Sequence, residues 1–352
     1  MTRPLRPGRR LTPVGWWALA AGTALVLAPW WSGHGAPAVL GLCLLAALAL
    51  ALLLVGRGTG AVAAVWQPGD PPRAGGEGRL RLRLEPGTAA CPVEVWCPDP
   101  AGGSRRAARL GGLERPRPVA VALHFPKRGR QMLAPPLVAC RLPFGLVEAV
   151  APAGPAGEVL VLPAPGRLRE DLARQVTSHL AASAADGGAD DEPDRLRPYR
   201  SGDPPRAVHW RASARAGSLL VCQRRGGAGR ICHVRVDPAP PPGGDRDGRR
   251  HDRLCSAAAA VVEHLAGLGW SVHLAGPGLH PCSGDLRRLL ASLALAEPAS
   301  GDALLGAPPG TILLAHRAPA ETPPGVLVLA GEPLFAAVSF QPRAAAARRG
   351  RR

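Results

Sequence analysis

Two long stretches without a single charge constrain this chain more than anything else in it. Residues 11–33 read LTPVGWWALAAGTALVLAPWWSG, and residues 35–56 read GAPAVLGLCLLAALALALLLVG. An α-helix rises 1.5 Å per residue, so roughly 20 residues cross a hydrocarbon layer about 30 Å thick. Both stretches are long enough. They predict a two-helix transmembrane hairpin over 11–56, with spans at about 12–31 and 37–55 and a short link around Ser32–Gly35. Trp16-Trp17 and Trp30-Trp31 stand near the two ends of the first span, where interfacial rings are expected. A signal peptide fits poorly, because a second apolar run follows at once and no convincing cleavage site is present. Arg3, Arg6, Arg9 and Arg10 precede the pair, Arg57 and Arg73 follow it, and the link has no arginine. The excess of positive charge on the inner side therefore predicts a plasma-membrane protein with two spans, whose termini and soluble parts are cytoplasmic.

The formal charge of +17 invites a nucleic-acid reading, but its distribution weakens it. Lys127 is the single lysine. Four arginines fall in the basic arm, residues 1–10, and five in the basic tail, residues 341–352, leaving about +8 for the body. The tail reads as disordered, and both ends suit solvent or an anionic lipid surface. The cysteines at 43, 91, 97, 140, 222, 232, 255 and 282 form no Cys-x-x-Cys pair. That spacing predicts neither a zinc site nor a disulfide framework, and reduced, mostly buried thiols are expected.

Residues 57–76 are rich in Pro and Gly and read as a linker. In GRLRLRLEPG, residues 78–87, leucines alternate with arginines, the period of a half-buried strand. Apolar runs at Val93–Trp96, Val119–Phe125, Leu137–Arg141 and Glu158–Leu162 follow, and residues 127–149 fit two strands around a Pro-Phe-Gly turn. These predict a small all-β, sandwich-like domain over 77–163. From residue 164 the period changes. Leu168–Ala185 and Leu254–Leu268 read as helices, Ile231–Val236 and Trp270–Ala275 as strands. Asp285–Ala296 reads as a further helix, Thr311–Ala315 and Val326–Ala330 as further strands. Alternation of this kind predicts an α/β, Rossmann-type domain over 164–340 with a parallel sheet.

Early in the second domain lies LRPYRSGDPPRAVHWRASARAGSLLV, within residues 195–221. From Arg195 to Arg215 it has six arginines and one carboxylate, Asp203. This stretch closely resembles the signature of the bacterial family catalogued as domain of unknown function 58. KRGRQML…CRLPFGLVEA resembles the segment that precedes the signature there. The order of hairpin, β-domain, signature and α/β domain also matches, from about residue 11 to 335. The resemblance implies a von Willebrand factor A-like α/β domain. It also implies partnership with a MoxR-type AAA+ ATPase and a transglutaminase-like membrane protein, in assembly or maturation at the cell envelope. Ion-binding A-type domains carry Asp-x-Ser-x-Ser after their first strand, whose hydroxyls and carboxylate-held waters serve a hard cation. Here Asp237 is followed by Ala239 and Pro241 in place of both hydroxyls, so no metal is expected there, and no cofactor.

Several readings of the signature compete. A triad can be drawn from Ser213, His209 and Asp203, which would make a hydrolase, but no Gly-x-Ser-x-Gly elbow is present. Gly226–Gly229 lacks the spacing of a phosphate-binding loop and reads as a hairpin. A nucleic-acid surface would use the arginines with Tyr199 and Trp210, yet Trp210 follows Val208 at period two and is expected to face a core. A structural knot would pair Asp203 with Arg200 or Arg206, around the turn at Gly202. The acidic residues Asp190, Asp191, Glu192 and Asp194 lie close enough in sequence to pair with other arginines. A docking surface would leave Arg195, Arg197 and Arg211 outside for a partner's carboxylates, with Arg215 a further candidate interaction residue of the signature. The knot and the docking surface are compatible, and together they predict a membrane-anchored, non-enzymatic adaptor.

Overall fold

A computed structural model describes residues 6–28, 30, 35–87, 91–186, 195–199, 208–223, 231–239, 245 and 248–340. The chain divides after Ala164 into two compact units, each described by itself.

The first unit opens with a short strand, β1 (Gly8–Leu11), then two apolar helices, α1 (Pro13–Leu27) and α2 (Ala36–Leu54). With a 3-10 turn that extends it to Ala61, α2 is long and apolar enough to cross a membrane; α1 is apolar but shorter. Thr12 caps α1, its hydroxyl accepting from the Gly15 amide at 3.1 Å, and Pro13 follows at the first helical position. Small residues bring the two helices together. A Cβ on Gly41 would stand 2.7 Å from the Gly22 carbonyl oxygen and 2.8 Å from the Val26 nitrogen.

Nine strands follow: β2 (Val62–Gln67), β3 (Gly76–Pro86), β4 (Val93–Pro98), β5 (Ser104–Leu110), β6 (Arg117–Phe125), β7 (Gly129–Leu133), β8 (Leu137–Cys140), β9 (Val147–Pro152) and β10 (Gly157–Val161). They form a five-stranded sheet, β1-β9-β8-β4-β5, a three-stranded sheet, β2-β3-β6, and a β10-β7 pair. The leucine–arginine alternation of β3 is realised in full. Leu80, Leu82 and Leu84 are buried while Arg79, Arg81 and Arg83 are exposed. Their inward face shares one core with Val121, Leu123 and Phe125 of β6 and with Val93, Val95, Val138 and Cys140 of the larger sheet, a sandwich-like arrangement. The Pro-Phe-Gly turn joins β8 to β9, which pair antiparallel.

Two expectations for this unit change. The stretch 57–76, expected as linker, contains β2, which pairs with β3 from Val62↔Pro86 to Gln67↔Arg81. Its prolines all lie after the strand and its glycines on both sides of it, and its alternating Val62, Ala64 and Trp66 were too short a signal to stand out. The basic arm is not wholly an arm: Gly8–Leu11 extends the large sheet by pairing with β9, Arg10 opposite Glu148. Nothing local predicts that strand, because its partner lies about 140 residues away.

The second unit begins with β11 (Gly166–Leu168) and α3 (Glu170–Asp186), on which Leu172, Val176 and Leu180 are buried at helical spacing. Next come β12 (Arg195–Pro198), α4 (Trp210–Ala216), β13 (Leu220–Gln223), β14 (Ile231–Asp237) and α5 (Arg249–Gly267). The unit ends with β15 (Ser271–Ala275), β16 (Cys282–Ser283), α6 (Leu286–Leu295), β17 (Ile312–Ala315), β18 (Leu327–Ala330), α7 (Gly331–Ala337) and β19 (Val338–Phe340). The main sheet runs β16-β15-β14-β17-β18; its four longer strands are parallel and β16 is an antiparallel edge. Every helix and strand expected from residue 231 onward is present to within a few residues. Helix α5 starts five residues earlier than its apolar period suggests. Its polar first turn is held by Asp245, whose carboxylate accepts from the His251 amide at 2.8 Å. Strand β19 returns to pair with β11, closing the unit at its two ends.

Of the seven described cysteines, Cys97, Cys140, Cys232 and Cys255 are buried and all are free. Burial pushes the Cys97 and Cys232 thiols up to about 12, so both stay protonated.

Candidate functional site

Two places in the second unit gather chemistry-bearing residues. The first is the signature. Its two ends pair as an antiparallel ladder, β12 with β13, from Arg195↔Gln223 to Pro198↔Leu220. Val208 bridges Val221 as well. Val221 already faces Arg197 on one edge, so Val208 must occupy the other. β13 is thus the middle of three passes. The Tyr199 amide donates to the Leu219 carbonyl at 2.8 Å and the His209 amide to Leu220 at 2.9 Å.

Helix α4 then begins. His209 is its N-cap, with Nδ1 accepting from the Ala212 amide at 3.1 Å, and Gly217 ends it in the left-handed region at φ 63°. Ser213 is buried. Its hydroxyl donates to the His209 carbonyl at 3.0 Å and accepts from the Leu220 amide at 2.8 Å. The serine and histidine of the drawn triad therefore meet through a backbone oxygen, with one ring nitrogen engaged by the helix it caps. Asp203 lies outside the described residues, as do Arg200, Gly202, Arg206, the acidic run 190–194 and Gly226–Gly229. For Arg197 only the backbone is described.

Trp210 does not face a core; it is 67 % exposed. Val208 is buried as its position on the bridge requires, but the strand period ends at His209. Trp210 is the first helical residue, and its direction follows the helix. Tyr199, Arg211 and Arg215 are exposed too. Arg211 and Arg215 are four apart and share one face of α4.

The second place is the carboxyl end of β14. The chain leaves β14 for β15 on one side, and the later strand β17 lies on the other, so this is where the order of the parallel strands reverses. Ligands of open α/β sheets bind at such a point. Asp237 ends β14, and its carboxylate accepts from the Ala239 amide at 3.0 Å, closing its own turn. Gly276, just past β15, passes so near that a Cβ there would lie 2.1 Å from the Val236 carbonyl oxygen. His316 follows β17. Burial holds its imidazole below the ordinary range, His251 and Arg250 add to this, and Asp245 and Asp237 oppose it. Burial pushes the Asp245 carboxyl up, but the His251 and Arg250 amides outweigh it and hold it below its usual value. Buried His251 bonds through Nε2 to the Ala296 carbonyl at 3.1 Å.

Sequence spacing singled out Asp237 here and missed Asp245, His251 and His316. Their only signal was position: His316 follows a strand, His251 opens a helix and Asp245 shortly precedes that helix. Among the described residues, no group of three or more His, Cys, Asp and Glu side chains is arranged to hold a metal ion. Comparison of the sequence with protein-family models and with curated proteins finds no match.

Proposed function

We propose that the chain is a membrane-anchored, non-enzymatic scaffold that acts with a MoxR-type AAA+ ATPase in assembling or maturing other proteins at the cell envelope. The observation that carries this reading lies in the signature segment. Its half-buried His209 and buried Ser213 bond to the segment's own backbone, while Tyr199, Trp210, Arg211 and Arg215 are exposed. Exposed aromatic rings and arginine forks are the side chains that dominate protein interfaces. The apolar α2, with α1 packed beside it, supports anchoring, and the arginines flanking the apolar runs support two spans with the soluble parts cytoplasmic. The strand order β15-β14-β17-β18 and the placement of Asp237 support a degenerate von Willebrand A-like domain. Ala239 in place of a hydroxyl argues against a bound divalent ion there.

The test is capture of the ATPase by the full chain in detergent. Arg211→Glu with Arg215→Glu should weaken capture at least tenfold, and Arg206→Ala and Asp203→Ala, in the same signature, should weaken it too. Full capture by folded variants overturns the docking role of the segment.

A further inference from the structure

The turn between β8 and β9 is unlike the other turns of the first unit. Leu142-Pro143 is a cis peptide, Phe144 is the one non-glycine among the described residues with a positive φ, 63°, and Gly145 follows at 70°. This backbone carries two apolar side chains outward: Phe144 is 63 % exposed and Leu142 is 41 % exposed. Single exposed apolar residues are ordinary on any protein; what matters here is what the turn is fastened to. The Thr12 hydroxyl donates to the Gly145 carbonyl at 2.7 Å, and the Thr12 amide donates to the Leu146 carbonyl at 2.9 Å. Thr12 is the cap of α1. One turn further, Gly15 lies against the Leu146 carbonyl so closely that a Cβ would stand 2.0 Å from it. The end of α2 meets the same place, where Leu48, Ala51 and Val55 pack with Leu146, Val147 and Ala149.

We propose that the 142–145 turn is a wedge seated in the membrane interface, and that its partner is the lipid bilayer. The inference rests on the reading of α1 and α2 as membrane helices. Given that reading, the depth of the turn follows from the chain itself. Trp16 and Trp17, both exposed on the first turns of α1, lie only about 6–8 Å along the helix axis from Thr12. Amphipathic rings settle at the headgroup level, so the carbonyls that Thr12 holds are at that level too. Phe144 and Leu142 are then beside the uppermost acyl-chain carbons, just below the headgroups. Arg10 and Arg141, which flank the turn and both grip Glu148, remain partly exposed toward the headgroups. The wedge would set the angle of the β-sandwich against the bilayer, a task that helices joined to it by a bare linker could not perform.

The test uses the full chain in vesicles of phosphatidylcholine and phosphatidylglycerol at three to one. Phe144→Trp adds a fluorophore at the turn; Leu142→Trp places one two residues away. Met132→Trp is the reference, equally exposed but on β7, whose Leu133 belongs to the sandwich core and not to the helix cluster. After subtraction of the wild-type signal, lipids brominated high on the acyl chain should quench the residue-144 and residue-142 emission. The quenching should be at least twofold stronger than with lipids brominated near the chain ends. The residue-132 emission should be unaffected. Wild-type emission tests the underlying reading, since Trp16 and Trp17 are quenched only if α1 enters the bilayer. Quenching in the wild type without added quenching at 144 and 142 overturns the wedge alone. No quenching in the wild type overturns both.

Discussion

Glu148 is the residue whose chemistry is most exactly specified. It is 4 % exposed and sits between two arginines: Arg10 Nε donates to Oε2 at 2.8 Å, and Arg141 donates to Oε1 from Nε and a terminal nitrogen at 3.0 and 2.9 Å. Burial pushes its carboxyl up, but the bonds and charges of Arg141 and Arg10 outweigh burial and hold it below its usual range. Glu148→Gln keeps the shape and removes the charge. It should cost about 1–3 kcal/mol, the range for a buried group bonded to charged partners, read as a fall in Tm in detergent. Glu77→Gln, which breaks the half-exposed pair with Arg105, should cost under about 1 kcal/mol. Equal losses in the two variants would mean that the Glu148 cluster is not buried in solution. Arg10 looked like one charge of a basic arm, and Glu148 like a polar position in a strand. Their pairing was not legible, because it depends on β1 finding β9.

At the scale of elements, what was legible follows from period. The alternation of β3, the 3.6-residue spacing of α3 and the strand–helix alternation after residue 231 all record which side of an element is buried, and burial is what pairing and packing reward. Elements without such a record were missed: β2, β5, β11 and β19 are short or flanked by polar residues, and the signature's Trp210 obeyed a helix that began one residue earlier than a strand period allows. The contact of α1 with α2 is an intermediate case. Gly22 and Gly41 were visible as small residues in apolar runs, but only packing shows why they are glycines. Gly41→Ala should force the helices apart and destabilise the unit by about 1–3 kcal/mol. Leu42→Ala, at a position 61 % exposed, should be close to neutral. Thermal unfolding in detergent checks this, and a neutral Gly41→Ala would mean that the helices do not meet there.

The whole molecule should lose stability to acid in two steps. His233 and His316 are held below the ordinary imidazole range: His233 by burial, His273 and Arg235, and His316 mainly by burial and His251. The unfolded chain takes up protons on these rings at a pH where the folded chain does not. Stability therefore falls as pH drops through about 6.5 and continues to fall until the folded pKa is passed. Glu148 and Asp245 are depressed carboxyls, and their contribution, complete above about pH 5, is lost as pH falls through their folded values. Denaturant midpoints measured from pH 8 to 3 should show both steps, and His233→Gln with His316→Asn should flatten the upper one alone. An unchanged upper step would assign it to other groups. The sequence by itself determined the apolar helices, the all-β then α/β order, and the four parallel strands and three longest helices of the second unit, because hydrophobic periodicity is local. Tertiary structure alone decided that β1 belongs to the β-sheet and that Ser213 and His209 serve their own backbone. It also decided that Asp237, Asp245, His251 and His316 gather at the end of β14, and that the Leu142–Gly145 turn is tied to the start of α1. Each of these is a contact between residues or backbone groups whose proximity is set by packing and hydrogen-bond geometry, which no local pattern encodes.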